Sequence, residues 1–287
     1  IIRALLLLSI SLIYNIIIGL GISFEKNLNE MKWIWAWNVL QTISISLLLA
    51  WPLLHTSRLL RIFLGIGLLV VNELLLTYLL PYEDQQNFYG VLFHIFYHPK
   101  EAFVIIPYFA IFIIGSACGD FFFDINNIKD QKEGKVKIKL IYYIIISLKI
   151  GLISALFGII YRFYDFLYRQ TISSMFYSIG AVIVLLAILI YLEEFGKLRT
   201  KKRYTFFFYF SSYSFTVYLA HDPLYFLFYS QLNGLLIWVP VIGMIIVITL
   251  ILKVLYNKVG SKASLKAQLG VLSLIIVNKI EQRKSRK

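Results

Sequence analysis

Eight apolar segments, separated by loops whose basicity alternates, constrain this chain more than any other feature. The segments are Ile1–Phe24, Trp37–Leu54, Leu59–Leu80, Ala102–Asp124, Ile138–Ile160, Ile172–Phe195, Phe206–Tyr229 and Leu235–Asn257. Each runs about 18–24 residues, enough at 1.5 Å per residue to cross a hydrocarbon core of ~30 Å. One set of connections holds Arg3, then Arg58 and Arg61, then the lysines from Lys129 to Lys139, then the bases from Lys197 to Arg203, and finally the basic tail. The opposite set holds only Lys26, Lys32, Lys100, Arg162 and Arg169. Every second connection is basic, the pattern that orients helices in a membrane with their basic loops inside. The expectation is an all-α, polytopic transmembrane helix bundle of about eight visible helices, in a cell membrane, with both visible ends cytoplasmic.

Composition agrees. The chain is 60% hydrophobic and only 15% charged, where soluble domains are about half apolar and a quarter charged. Its net charge of +13 sits in the inner loops and tail and suits anionic lipid rather than nucleic acid, for which no motif is present. The single Cys118 forms no internal disulfide and supports no zinc site. Trp33, Trp35, Trp37, Trp51, Tyr78, Tyr82, Tyr161, Tyr164, Tyr229 and Trp238 lie near segment ends, where amphipathic rings anchor in the headgroup zone. The first segment has neither a charged leading region nor a small-residue cleavage site, so it reads as an internal helix rather than a signal peptide.

Three connections are long. Pro81–Glu101 is acidic and aromatic, and its His94 and His98 read as residues of a surface turn; without a third ligand they make no metal site. Ile125–Lys137 reads as a solvated, flexible inner loop, and the stretch Glu25–Ala36 as lying along the membrane surface. After Asn257, Leu265, Leu269, Leu272, Ile276 and Ile280 recur at helical spacing. We read residues 1–257 as the transmembrane domain. Residues 258–287 read as a cytoplasmic amphipathic helix on the bilayer, followed by a basic tail; the alternative is a ninth crossing, which Lys262 and Lys266 would keep short.

Ionisable and amide side chains at bilayer depth are costly and mark function by default. At 1.5 Å per residue, Asn15, Gln41, Glu73 and His221 each stand roughly 20–22 Å from the inner end of their segments. With Asp222 they define a prospective polar layer, a substrate pocket opening outward. Lys149, nearer the midplane, is placed to pair with Glu73. The competing reading is a set of separate interhelical hydrogen bonds. His221-Asp222-Pro223 is the sharpest element: the proline frees a helical carbonyl, and a histidine can act as base or proton relay. No phosphate-binding glycine loop or nucleophile elbow is present.

Three stretches together resemble the heparan-alpha-glucosaminide N-acetyltransferase-like membrane acyltransferases. The first is Trp35-Ala36-Trp37-Asn38-Val39-Leu40-Gln41, with Asn38 where the family usually has glycine. The second is Gly90-Val91-Leu92-Phe93 with Ala102–Phe109 and Gly115-Ser116-Ala117-Cys118-Gly119. The third is Ser214-Phe215-Thr216-Val217-Tyr218-Leu219-Ala220-His221, similar to an element of the wider acyltransferase superfamily. The family's Arg-Gly motif and its catalytic histidine have no counterpart. Arg3-Ala4-Leu5 resembles the start of the family's third helix, so the resemblance implies two further helices, about ten in all, and an inactive fragment when isolated.

The resemblance implies transfer of an acetyl group from cytoplasmic acetyl-CoA to a sugar amine or hydroxyl across the membrane. The resemblance assigns its main base to the absent helices; from depth alone, His221 is the candidate base and Asn15, Gln41, Glu73, Asp222 and Lys149 are the candidate substrate-binding residues, without metal. Partners would be membrane lipids, the acyl-CoA, a glycan or other small-molecule acceptor, and a second copy in a homodimer. The alternative is a multi-pass transporter or flippase of glycan or lipid-linked substrates.

Overall fold

The computed structural model describes residues 1–26, 37–97, 104–128, 133–164, 171–195, 205–226 and 238–285. The described residues form helices and no strands. In chain order the helices are α1 (Ile2–Lys26), α2 (Val39–Leu53), α3 (Arg58–Leu79), α4 (Phe88–Tyr97), α5 (Ile105–Ile128), α6 (Glu133–Tyr161), α7 (Ile172–Glu194), α8 (Thr205–Phe226), α9 (Trp238–Val259) and α10 (Leu265–Ser285). Among the described residues, each expected apolar segment overlaps a helix. Among the described residues, four stretches, Arg58–Tyr82, Lys137–Tyr161, Ile172–Glu194 and Trp238–Arg283, are long and apolar enough to cross a membrane, and Ile2–Ile18, Val39–Leu53 and Ile105–Phe121 are shorter apolar helices. The faces they leave uncovered are apolar. On α3 the exposed series is Leu59, Phe63, Ile66, Val70 and Leu74, one stripe at helical spacing of the kind that lipid covers.

The chain divides into two compact units, residues 3–199 and 200–287. In the first, polar caps start the helices. The side chains of Asn38, Ser57 and Thr171 each accept from the backbone N–H three residues on, satisfying a donor that the helix start would orphan. Helices α3 and α5 run antiparallel. Arg58 donates to Asp124 at 2.6 Å, Arg61 reaches Asp120, and a Cβ on Gly65 would stand 2.5 Å from Ile114 Cγ1. Helices α6 and α7 form the tightest hairpin. A Cβ on Gly158 would stand 2.5 Å from Ser173 O and from Tyr177 N, and one on Gly180 would stand 2.5 Å from Gly151 O. These glycines let backbones touch, and the Ser154 hydroxyl donates across the seam to Phe176 O at 2.8 Å. A separate cluster of Trp37, Leu79, Phe93, Tyr97, Val104 and Ile105 closes the other end of this unit.

In the second unit, α8 carries the turn that ends α9. Gly260 takes φ +64, the left-handed helix stop that glycine adopts without strain. Tyr213, 1% exposed, donates to Gly260 O at 2.6 Å; Ser264 donates to Ser212 O, and Leu265 N–H donates to Thr216 Oγ1.

Three local expectations change. The loop Pro81–Glu101 contains α4, and His94 lies on that helix rather than in a turn; His98 lies outside the described residues. The solvated loop Ile125–Lys137 is largely helical, since α5 runs to Ile128 and α6 begins at Glu133. On α10 the packed face is Leu265, Leu269, Ser273 and Ile276, while Leu272 and Ile280 are exposed. That helix hardly segregates apolar from polar residues. The sequence stripe is displaced because its apolar centre, Leu269–Val277, surrounds the helix.

Candidate functional site

Where α1 meets the start of α2, four neutral polar side chains join. The Ser11 hydroxyl donates to Asn38 Oδ1 at 3.0 Å, Asn38 Nδ2 to Asn15 Oδ1 at 2.6 Å, and Asn15 Nδ2 to Gln41 Oε1 at 3.4 Å. Ser11 and Gln41 are 0% exposed and Asn15 7%. Among the described residues Gln41 Nε2 has no hydrogen-bond partner. The helix start fixes the direction of this chain. Gln41 N–H donates to Asn38 Oδ1 at 2.9 Å, and a backbone N–H can only donate, so the Asn38 oxygen must face it and its amide nitrogen must face Asn15. The remaining buried side of α2 is small and polar as well, with Thr42, Ser44 and Ser46. Ser44 returns its hydroxyl to Gln41 O at 2.9 Å.

Glu73 does not join this cluster through its carboxylate. Its Oε1 accepts from Arg162 at 2.7 Å and its Oε2 from the backbone N–H of Ile172 at 3.2 Å. The carboxylate thus caps the N-terminal end of α7, where an anion is favoured by the unpaired N–H groups and the helix dipole. Lys149, expected to be its partner, is exposed on α6, with Ile145 and Ile153 one helical turn away on either side. Arg162, just beyond the end of α6, takes that place because the α6–α7 connection brings it to the start of α7. The expected single layer therefore separates into an Asn15–Gln41 amide cluster and a Glu73–Arg162 tie. The side chains of His221 and Asp222 lie outside the described residues, although their backbone belongs to α8.

Two further polar groupings were not anticipated. Arg61, only 2% exposed, donates to Ser116 Oγ at 3.0 Å and pairs with Asp120, leaving its Nε without a partner. Asn72, 1% exposed, receives the Tyr97 hydroxyl at 3.2 Å. Burial, reinforced by the charge on Glu73, pushes the Tyr97 hydroxyl far above its ordinary range. The signal for Arg61 was present in the sequence, since Arg58 and Arg61 share a helix face and Asp120 and Asp124 share another at matching distances from the segment ends.

An open groove of about 460 Å³ between α6 and α7 is lined by Ile141, Ile144, Ile145, Leu148, Ile188, Tyr191 and Phe195. It offers almost no polar chemistry. Among the described residues no group of His, Cys, Asp and Glu could hold a metal ion. No family model, curated protein or solved structure matches this chain.

Proposed function

We propose that this chain is a membrane acyltransferase that moves an acetyl group from acetyl-CoA to a sugar amine or hydroxyl. The observation that supports it is the position of Gln41. This residue ends the Trp35–Gln41 stretch on which the family resemblance begins, and it is a wholly buried amide with an unused donor at the end of a hydrogen-bonded chain. In the reaction, the acceptor nitrogen or oxygen attacks the thioester carbon and the carbonyl electron pair moves onto its oxygen. Collapse of that oxyanion expels the coenzyme A thiolate, and the acceptor's proton passes through a base to the departing sulfur. His221 is the candidate base. In this reading the basic ends of the helices face the cytoplasm and the coenzyme, and both visible chain ends lie on that side of a cell membrane.

The test uses the chain purified into lipid nanodiscs. Saturable binding of acetyl-CoA is the expected result; thiol release by this chain alone is not expected, because the catalytic histidine that the resemblance implies has no counterpart in it. Absence of acetyl-CoA binding, with sugar flux into vesicles that contain no acetyl-CoA, would replace this reading with the transporter. With Cys118→Ser as background, thiol-reactive labelling of single cysteines placed at Gln86 and at Asp130 tests sidedness, with only the first expected to react from outside.

A further inference from the structure

The Ser11–Asn38–Asn15–Gln41 chain has a direction and an open end. Every link points the same way: hydroxyl to amide oxygen, then amide nitrogen to amide oxygen twice. Hydrogen bonds aligned head to tail polarise one another, so the positive end of the whole relay is Gln41 Nε2. A buried donor without a partner is unfavourable, so a ligand acceptor at this end is favoured. The relay is also uncharged throughout, so it neither repels nor neutralises an ion. These three properties suit one kind of ligand atom, a neutral carbonyl oxygen that gains negative charge as its carbon is attacked.

We propose that Gln41 Nε2 donates to the carbonyl oxygen of a bound acyl group, and that Ser11, Asn38 and Asn15 act behind it by aligning and polarising that donor. Gln41 touches the ligand; the other three are positioning residues. The inference rests on the acyl-transfer reading above. Its ligand chemistry has two sources, the thioester of acetyl-CoA and the acetamide of an N-acetylated product. The relay predicts a donor that strengthens as charge develops, so its loss falls on kcat more than on KM. Replacing a single donor of this type lowers kcat by roughly 10²–10³-fold.

The experiment measures the infrared carbonyl stretch of bound [1-13C]acetyl-CoA and of bound N-[1-13C]acetylglucosamine, with the full chain in nanodiscs. The expected result is a carbonyl band at lower frequency in the wild type than in Gln41→Met, with Ser11→Ala between them. A shift confined to N-acetylglucosamine assigns the donor to the acetamide and retains the proposal. A bound probe with the same frequency in the wild type and in Gln41→Met overturns the proposal and leaves acyl transfer standing. Failure of both probes to bind in equilibrium dialysis overturns both. Should Gln41→Met not fold, Ser11→Ala decides, because it leaves Gln41 in place. An unchanged band in that variant removes the relay.

Discussion

The Arg61–Asp120 pair makes an asymmetric prediction. Arg61 is 2% exposed, whereas the Asp120 side chain is 46% exposed. Asp120→Asn therefore strands a guanidinium that cannot reach water. Removing one partner of a buried pair costs about 3–5 kcal/mol; the amide oxygen of Asn still accepts one hydrogen bond, which favours the lower end of that range. Arg61→Met leaves Asp120 free to hydrate. Ser116 keeps a partner, because its hydroxyl donates to Ile113 O at 2.7 Å. What remains is a half-solvated ion pair, worth about 0–1 kcal/mol, and some side-chain packing. The double change Arg61→Met with Asp120→Leu is expected to be close to neutral, since apolar replacement of both partners removes the desolvation cost together with the attraction. Arg58 and Asp124, whose side chains are 41% and 51% exposed, serve as an internal control, and Asp124→Asn is expected to change little. Equilibrium unfolding in mixed micelles, followed by helical circular dichroism, measures all of these. If Arg61→Met costs as much as Asp120→Asn or more, burial does not set the energetics of this pair and the reasoning fails.

Gly180→Ala is expected to destabilise the α6–α7 hairpin by about 1–3 kcal/mol, because the new methyl would meet the backbone of Ala155 and Gly151 rather than a movable side chain. An unchanged unfolding midpoint would refute the close approach. Tyr97 has a folded pKa raised above its ordinary 10.0, so the stability it contributes is complete below that pH and is lost as pH rises beyond it. The wild type should weaken above about pH 10 more steeply than Tyr97→Phe, which itself costs about 1 kcal/mol at neutral pH through the lost bond to Asn72; parallel pH profiles for the two proteins would contradict this. Lys149 stands midway along the Lys137–Tyr161 span on an exposed, apolar face. Lys149→Leu should improve insertion of that helix by roughly 2.5–3.5 kcal/mol on the translocon scale, read with a glycosylation reporter, and no gain would mean that a partner in the membrane already satisfies the lysine.

The eight apolar segments were legible because apolarity and its extent are properties of composition along the chain; among the described residues four stretches are long and apolar enough to cross a membrane. Helix α4 escaped the same reasoning. Its ten residues, Phe88–Tyr97, are too few to span, and its start depends on Asn87 accepting from Gly90 N–H at 2.8 Å and on Gly90 packing against the Gln85 carbonyl. Helix packing was less legible still. Gly115 and Gly119 carry the spacing usually associated with helix contact, yet a Cβ on either would meet nothing within 4 Å. Gly151, Gly158 and Gly180 have no such spacing and form the tightest contact. Helices that are apolar on every side carry no pattern that tells which side meets another helix, so a glycine's role is decided by its neighbours in space.

The candidate site divides along the same line. Asn15 and Gln41 were brought together by their positions along two successive apolar segments, and the structure joins their side chains. Depth failed for Glu73 and Lys149, since pairing also requires the two side chains to face each other around their helix axes, and Lys149 faces outward. Asn38 shows a third kind of illegibility. In the motif it stands only as a departure from glycine, whereas in the fold it caps α2, accepts from Ser11 and donates to Asn15. A glycine could start this helix but could not link Ser11 to Asn15. The departure from the family pattern is therefore the residue that gives the relay its continuity, and the backbone N–H of Gln41 gives it direction. If the relay serves acyl transfer, Asn38→Gly should preserve the helix and raise the carbonyl stretch of bound [1-13C]acetyl-CoA, whereas a purely structural cluster would show its loss in stability alone.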